Sequence, residues 1–379
     1  MKINEIICKR HKAPVLNEGA RIMHAEDLVF FEGSPGALRA ANSIIALFKN
    51  RDTLSIKWDG SVAIVAGRND NGQFIMTDKA GFTAKGYNGL YKSAKEFAEQ
   101  KRSKGTAEDY LAKIAKLWPI VEAAFPKSFR GYILGDVMWF PGELTDTGRK
   151  YVFTPNTVTY EIAKNSELGF RIAKSKAGFA IHTFFAEPGA IGQALSDTSR
   201  LNAEGPLCIL GPEIKNEAPL QADKMMAKQI IQAIRQKAKD IDSFLDGQTL
   251  SELKMASLPE VLYTYVNART KQRDHSQLSE KFLPWVQSNP KFTKVMVQKI
   301  SDYVLKNNKG LRAVFDTFDM ISKLKLDVIT QLDMHDGDVV AHIAGTRGGE
   351  GYVNTHPDGP IKLVNRIGFS ATNASNNNN

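Results

Sequence analysis

The chain has 379 residues, 42% hydrophobic and 24% charged, with a formal net charge of +9. That balance fits a globular protein of two or three domains with a sizeable core and excludes a disordered or fibrous chain, while the positive charge favours polyanionic partners in a general way. No apolar run approaches the roughly 18 residues of a membrane helix. Met1–Glu5 do not read as a secretion signal, and Cys8 and Cys208 supply neither a disulfide framework nor a zinc spacing. A cytoplasmic protein with no membrane partner is therefore expected.

Leu28-Val29-Phe30-Phe31 reads as a strand entering a turn at 32–36, and Leu38, Ala41, Ile44, Ile45 and Phe48 recur at helical spacing over 37–50. Two strands follow, Leu54–Gly67 and Gln73–Lys79, around the turn Asn69-Asp70-Asn71-Gly72. The first contains Lys57-Trp58-Asp59-Gly60-Ser61. A lysine between two apolar β-like runs is costly unless it is paired or chemically used, and its amine becomes a nucleophile once burial or nearby cations depress its pKa. Asp59 and Gly60 add a carboxylate and a residue that lets the backbone approach a ligand, although Asp-Gly is equally a mark of an ordinary hairpin end.

The basic, glycine-rich segment Lys79–Tyr87 is either a solvated loop or one presenting amines to phosphate, and no glycine-rich phosphate or dinucleotide motif occurs in the chain. A helical stretch covers 93–125. Within 130–140, Asp136 is a single carboxylate among apolar neighbours, expected to be hydrogen-bonded or to hold a cation or a ligand hydroxyl. Strand-like runs at 151–153, 157–162, 169–173 and 178–185 give a mainly antiparallel sheet with helices packed on it, an α+β pattern. From Pro219 helical periodicity takes over. An all-α module at 219–335 is thus expected as an insertion between a first part, 1–218, and final strands, 336–370. Glu350 sits between glycines ahead of a strand, and Lys362 lies inside the apolar run Ile361–Val364. Residues 371–379, ending in asparagines, read as a disordered tail.

Taken in order, Lys57-Trp58-Asp59-Gly60, Gly135-Asp136, the aromatic strand 179–185, Glu350-Gly351-Tyr352-Val353 and Ile361-Lys362 resemble the successive motifs of the covalent nucleotidyltransferases. That superfamily holds ATP-dependent DNA ligases, RNA ligases and mRNA capping enzymes. The resemblance is closest to bacteriophage RNA ligases of the double-strand-repair type, through Ile361-Lys362 followed by Asn365 and Phe369-Ser370. It covers about 54–185 and 346–370, not the helical insertion. It implies an antiparallel-sheet, ATP-grasp-like ligase adenylation domain using ATP with Mg²⁺ or Mn²⁺. The implied substrates are RNA, DNA or hybrid ends bearing a 5′-phosphate and a 3′-hydroxyl, in a phage-infected bacterial cytoplasm.

Carried over by residue, the resemblance implies that Lys57 attacks the α-phosphorus of ATP and that Asp59 orients it or helps hold the metal. Glu350 would bind the divalent metal and Lys362 would contact the α-phosphate. Asp136, where the family usually has glutamate, would contact the ribose. Phe184 would stack on adenine, with Phe179 and His182 as rivals on the same strand, and Lys79 or Lys85 would grip a nucleic-acid phosphate. Val364 stands where the family commonly has a second lysine, which leaves that cationic role to Arg366. Two other functions share the pattern: a nucleic-acid-binding phage protein with a decayed site, and an adenylyltransferase acting on protein or a small molecule.

Overall fold

The computed structural model describes residues 22–83, 89–195, 198–202, 205–213, 220–221, 224–335 and 337–370. Lys85 and the tail at 371–379 lie outside the described residues. The fold combines helices with three mainly antiparallel sheets. The first sheet runs Met23–His24, Ile361–Val364, Gly351–Asn354, Leu54–Ile56, its opening pair being parallel. In the second the order is Gln193–Ala194, Ala177–Phe185, Gly131–Trp139, Ala63–Arg68, Phe74–Asp78, and Leu207–Leu210 adds in parallel to Ala177–Phe185. The third runs Thr346–Arg347, Val339–Ile343, Val158–Ala163, Lys150–Phe153, Thr145–Asp146. No helix among the described residues is long and apolar enough to cross a membrane.

The expected single strand 54–67 is two strands in different sheets. Leu54–Ile56 pairs with Gly351–Asn354 in the first sheet and Ala63–Arg68 with Gly131–Trp139 in the second, so Lys57–Val62 is the crossing between them. The hairpin into Phe74–Asp78 forms as expected, with the Gly72 N–H donating to the Asn69 carbonyl at 2.9 Å.

Two expected strands are helices. Leu28–Phe31 opens a helix, Leu28–Ala46, that continues through the expected turn with a kink at Gly33, whose φ of 63° and ψ of −147° only glycine adopts without strain. The segment after the kink is capped from far away: Asp242 accepts from the backbone N–H and the hydroxyl of Ser34, both at 2.7 Å. A capping partner 208 residues distant leaves no local trace in the sequence. Residues 169–173 belong to the helix Glu167–Ala173, where Ser166 caps the Gly169 N–H at 3.0 Å and Leu168 and Ile172, four apart, are buried together. The stretch 93–125 divides into Ala94–Arg102 and Glu108–Ala124, separated by Gly105 at a φ of 79°.

Packing separates a helical body from the sheets that carry the charges. Leu28–Ala46 packs against Lys224–Phe244 and Asn308–Met334, and their shared core reaches Tyr352, Ile361 and Leu363 on one face of the first sheet. The helix Glu108–Ala124 covers one face of the second sheet, with Ile114, Leu117 and Val121 against Ile64, Ile133 and Val137. Alternation along Gly131–Trp139 then turns Asp136 to the opposite face.

Candidate active site

Lys57 stands where the chain leaves the first sheet. Its backbone N–H donates to the Gly351 carbonyl at 2.9 Å, which sets it beside Glu350, and its Nζ is ion-paired with the Glu350 carboxylate. The pair is mostly covered, with side-chain exposures of 24% and 14%. Burial pushes the Glu350 acid above its ordinary value, against the pull of Lys57, so this carboxylate accepts a proton more readily than a free glutamate.

Asp136 reaches the same place from the second sheet. Gly60 makes this possible: a Cβ there would lie 2.2 Å from the Asp136 Cβ, so only glycine lets the lysine loop rest on this strand. Burial raises the Asp136 acid, while His182, Lys57 and Lys79 pull it down and Asp59 pushes it up. His182 Nε2 lies 3.8 Å from Asp136 Oδ2: Ala180 pairs with Asp136, so alternation sets His182 on the carboxylate's face, and the register shift at Leu134/Gly135 turns Phe184 to the other one. Burial lowers the basicity of His182, as do the charges of Lys57, Lys79 and Lys362, against the pull of Asp136, so the ring is neutral at pH 7. Lys362 comes in on the strand paired with Gly351–Asn354, and its charge also pulls Glu350 down.

The Asp59 carboxylate, expected to orient Lys57 or help hold the metal, is taken up by hydrogen bonds within the protein. It accepts from Asn156 Nδ2 at 3.0 Å and from the backbone N–H of Thr157 and Val158 at 2.9 and 3.2 Å, and the residue is 6% exposed. Its own N–H donates to the Tyr160 hydroxyl at 2.7 Å, while Trp58 packs on the Tyr160 ring and donates to the Gly211 carbonyl. Asp59 therefore pins the lysine loop to the turn at 156–158. Asp59→Ala is expected to destabilise the fold by ~3 kcal/mol, because it strands buried N–H donors; a urea-unfolding curve within ~1 kcal/mol of wild type would contradict this assignment.

A model of a family of unknown function, DUF6267, matches residues 20–378. The chain belongs to that family. No curated protein and no solved structure matches it.

In this DUF6267 chain two further expected site residues lie elsewhere. Arg366 is 4% exposed and buried in an ionic cluster, bonded to Asp27 and Asn267 at 2.6 Å each, so it is not available as the second phosphate cation. Phe184, paired with Ile133, faces the helices and packs on Phe129, with the Arg200 guanidinium 5.4 Å from its ring centre. Phe179 is buried at 2% exposure. Of the three rings considered for the base, His182 alone shares the face of Asp136. Lys79 is exposed at the start of a one-turn helix, Lys79–Phe82, capped by Asp78, and its charge reaches Asp136 and His182.

Sequence reasoning missed Tyr160, Asn156 and Asp333. Asp333, in the last turn of Asn308–Met334, accepts from the Tyr352 hydroxyl at 2.7 Å and lines a small cavity under Lys57 with Tyr160. These residues lie far from Lys57 along the chain and belong to no motif of it. Among the described residues there is no group of three or more His, Cys, Asp and Glu able to enclose a metal ion. A Mg²⁺ would need only one or two carboxylates beside phosphate oxygens and water, a place that Asp136 could fill, since Glu350 is ion-paired with Lys57.

Proposed function

We propose that this chain is a covalent nucleotidyltransferase, specifically an ATP-dependent polynucleotide ligase built on a ligase-type adenylation domain. The observation that carries the reading is the Lys57–Glu350 pair facing Asp136 and His182, within the fields of Lys79 and Lys362. A nucleophilic amine, a carboxylate with raised proton affinity and two further ammonium groups are what transfer of a nucleotidyl group requires. The Lys57 nitrogen attacks the α-phosphorus of ATP; the P–N bond forms as the bond to the bridging oxygen of pyrophosphate breaks. Glu350 takes the proton the amine gives up. The adenylyl group then passes to the 5′-phosphate of a strand, and attack by a 3′-hydroxyl joins the ends and frees AMP. A divalent cation held by Asp136 together with phosphate oxygens and water would neutralise charge on the phosphate oxygens. His182 would lie against the base or the ribose.

Incubation with α-labelled ATP and Mg²⁺ or Mn²⁺ is expected to label the protein, Lys57→Ala to abolish the label, and a chase with 5′-phosphorylated RNA or DNA to remove it. Absence of label with either metal refutes the reading. Label that no nucleic acid removes favours instead an adenylyltransferase acting on protein or a small molecule.

A further inference from the structure

Glu350 sits in a segment that cannot place itself. Gly348, Gly349 and Gly351 surround it, and Gly348 and Gly351 hold φ angles of 146° and 134°, so the geometry of this backbone must be imposed from outside. The last turn of the helix Asn308–Met334 imposes it at both ends. Before the glycines, Arg347 donates from Nε to the Asp333 carbonyl at 2.7 Å and from Nη2 to the His335 carbonyl at 2.8 Å, the first of these being a carbonyl that the helix end leaves without a partner. After them, the Tyr352 hydroxyl, in a residue 5% exposed, donates to Asp333 Oδ1 at 2.7 Å. Asp333 Oδ2 lies against Gly348, 3.4 Å from where a Cβ would stand. Asp333 thus touches the segment on either side of Glu350.

The helix is itself anchored. Its Leu324, Val328, Ile329 and Leu332 are buried in the helical body. Lys325, eight residues before Asp333 and so roughly 12 Å along the axis, is ion-paired with Glu26, which also lies beside Arg366, four residues after Lys362. One helix therefore grips the chain around Glu350 and just beyond Lys362. Asp333 and Lys57 line the same small cavity, of about 20 Å³, which has room for about one water molecule, so Asp333 acts on the lysine through Glu350 and not by touching a substrate.

We propose that Asp333 is a positioning residue for Glu350: by holding Tyr352 it keeps the Glu350 carboxylate on the Lys57 amine, and through it the helical body sets how Lys57 reacts. The effect on transfer from ATP rests on the nucleotidyltransferase reading above; the hold on Lys57 is tested without ATP. The probe is acetic anhydride at trace level, with acetylation of each lysine read from peptide masses. An amine engaged in an ion pair and mostly covered is protected from the reagent. In Asp333→Ala and in Tyr352→Phe, acetylation of Lys57 is expected to rise about 5- to 10-fold relative to the exposed Lys95, the worth of one hydrogen bond. Asp333→Asn, which keeps an acceptor oxygen for Tyr352, is expected to stay within about twofold of wild type. Labelling of Lys57 by ATP is expected to move the opposite way, falling about 5- to 10-fold in the alanine and phenylalanine variants and holding in the asparagine one, because the displaced carboxylate no longer meets the proton the amine gives up. A residue needed only for folding would release all lysines together and would not speed one reaction of Lys57 while slowing another.

Lys57 acetylation unchanged in both Asp333→Ala and Tyr352→Phe, a rise shared by every lysine in both, a rate of labelling by ATP that both leave at the wild-type value, or an asparagine variant that behaves like the alanine one overturns the proposal. Faster acetylation of Lys57 in variants of a protein that takes no label from ATP keeps the brace and refutes the ligase. Labelling of wild type by ATP with Lys57 acetylation unmoved in the variants refutes the brace alone.

Discussion

Arg366→Met is expected to cost roughly 3–5 kcal/mol of unfolding free energy, the penalty for leaving buried charges uncompensated. Glu26, Asp27, Lys325 and Arg366 are 0–4% exposed. Lys325 is bonded to Glu26 at 2.5 Å and Arg366 to Asp27 at 2.6 Å, so two acids and two bases neutralise one another out of water. The cluster joins the turn after Met23–His24, the helix Asn308–Met334 and the segment after Ile361–Val364, and through Asn267 it reaches the helix Leu258–Lys271. Losing Arg366 strands Asp27 beside Glu26 with one cation for two carboxylates. Urea unfolding at pH 7 measures the cost; a change below ~1 kcal/mol would show that the cluster does not hold these elements together.

The same cluster carries a pH signature with opposing parts. Burial pushes Asp27 up to about 6, against the pull of Arg366, so its contribution is largest where it is protonated, below the ordinary carboxylate range, and is lost as pH rises through 6. Burial also pushes Glu26 up, but the charges of Lys325 and Arg366 outweigh it and hold that acid at about 2; its contribution is present above the ordinary glutamate value and lost as pH falls toward 2. The two together favour the fold most between about pH 4 and 5. Asp27→Asn, neutral at every pH, is expected to remove the loss that wild type should show between about pH 4 and 6. Parallel stability curves for the two proteins across that window would contradict the assignment.

Glu350→Gln is expected to slow the first-order labelling of Lys57 by ATP on the order of 100-fold, the scale of removing one proton acceptor from a transition state. Glutamine keeps the shape and a hydrogen bond to the Lys57 ammonium but neither the charge nor the ability to take a proton. Burial raises the wild-type acid against the pull of Lys57 and Lys362, and the substitution removes that proton acceptor. Labelling rates within about threefold of wild type would assign the proton to another group.

The charges that break the apolar pattern were legible in the sequence. Lys57, Asp136 and Glu350 each stood out against apolar or glycine neighbours, and the fold brings them together from two sheets with Lys362 nearby. What failed was inference along the chain where the deciding partner is remote. Leu28–Phe31 looks like a strand because its residues are apolar, yet it is helical, and the helix after Gly33 is capped by Asp242. Arg366 has the residue type and position of a phosphate ligand and is instead consumed by Asp27. Phe184 and His182 are two apart on one strand, and alternation alone would set them on one face; the register shift on that strand decides which of them meets Asp136. Asp59 could be found from the motif, but its partners at 156–158 could not, since nothing local marks a turn that closes onto a loop about 97 residues away.

The most direct test of the covalent reading is the mass of the peptide containing Lys57 after incubation with ATP and a divalent cation. The account predicts one AMP on the Lys57 side chain, lost in acid and absent when Lys57 is replaced by alanine. An unmodified Lys57 peptide with both Mg²⁺ and Mn²⁺, or AMP carried by a different residue, would contradict it.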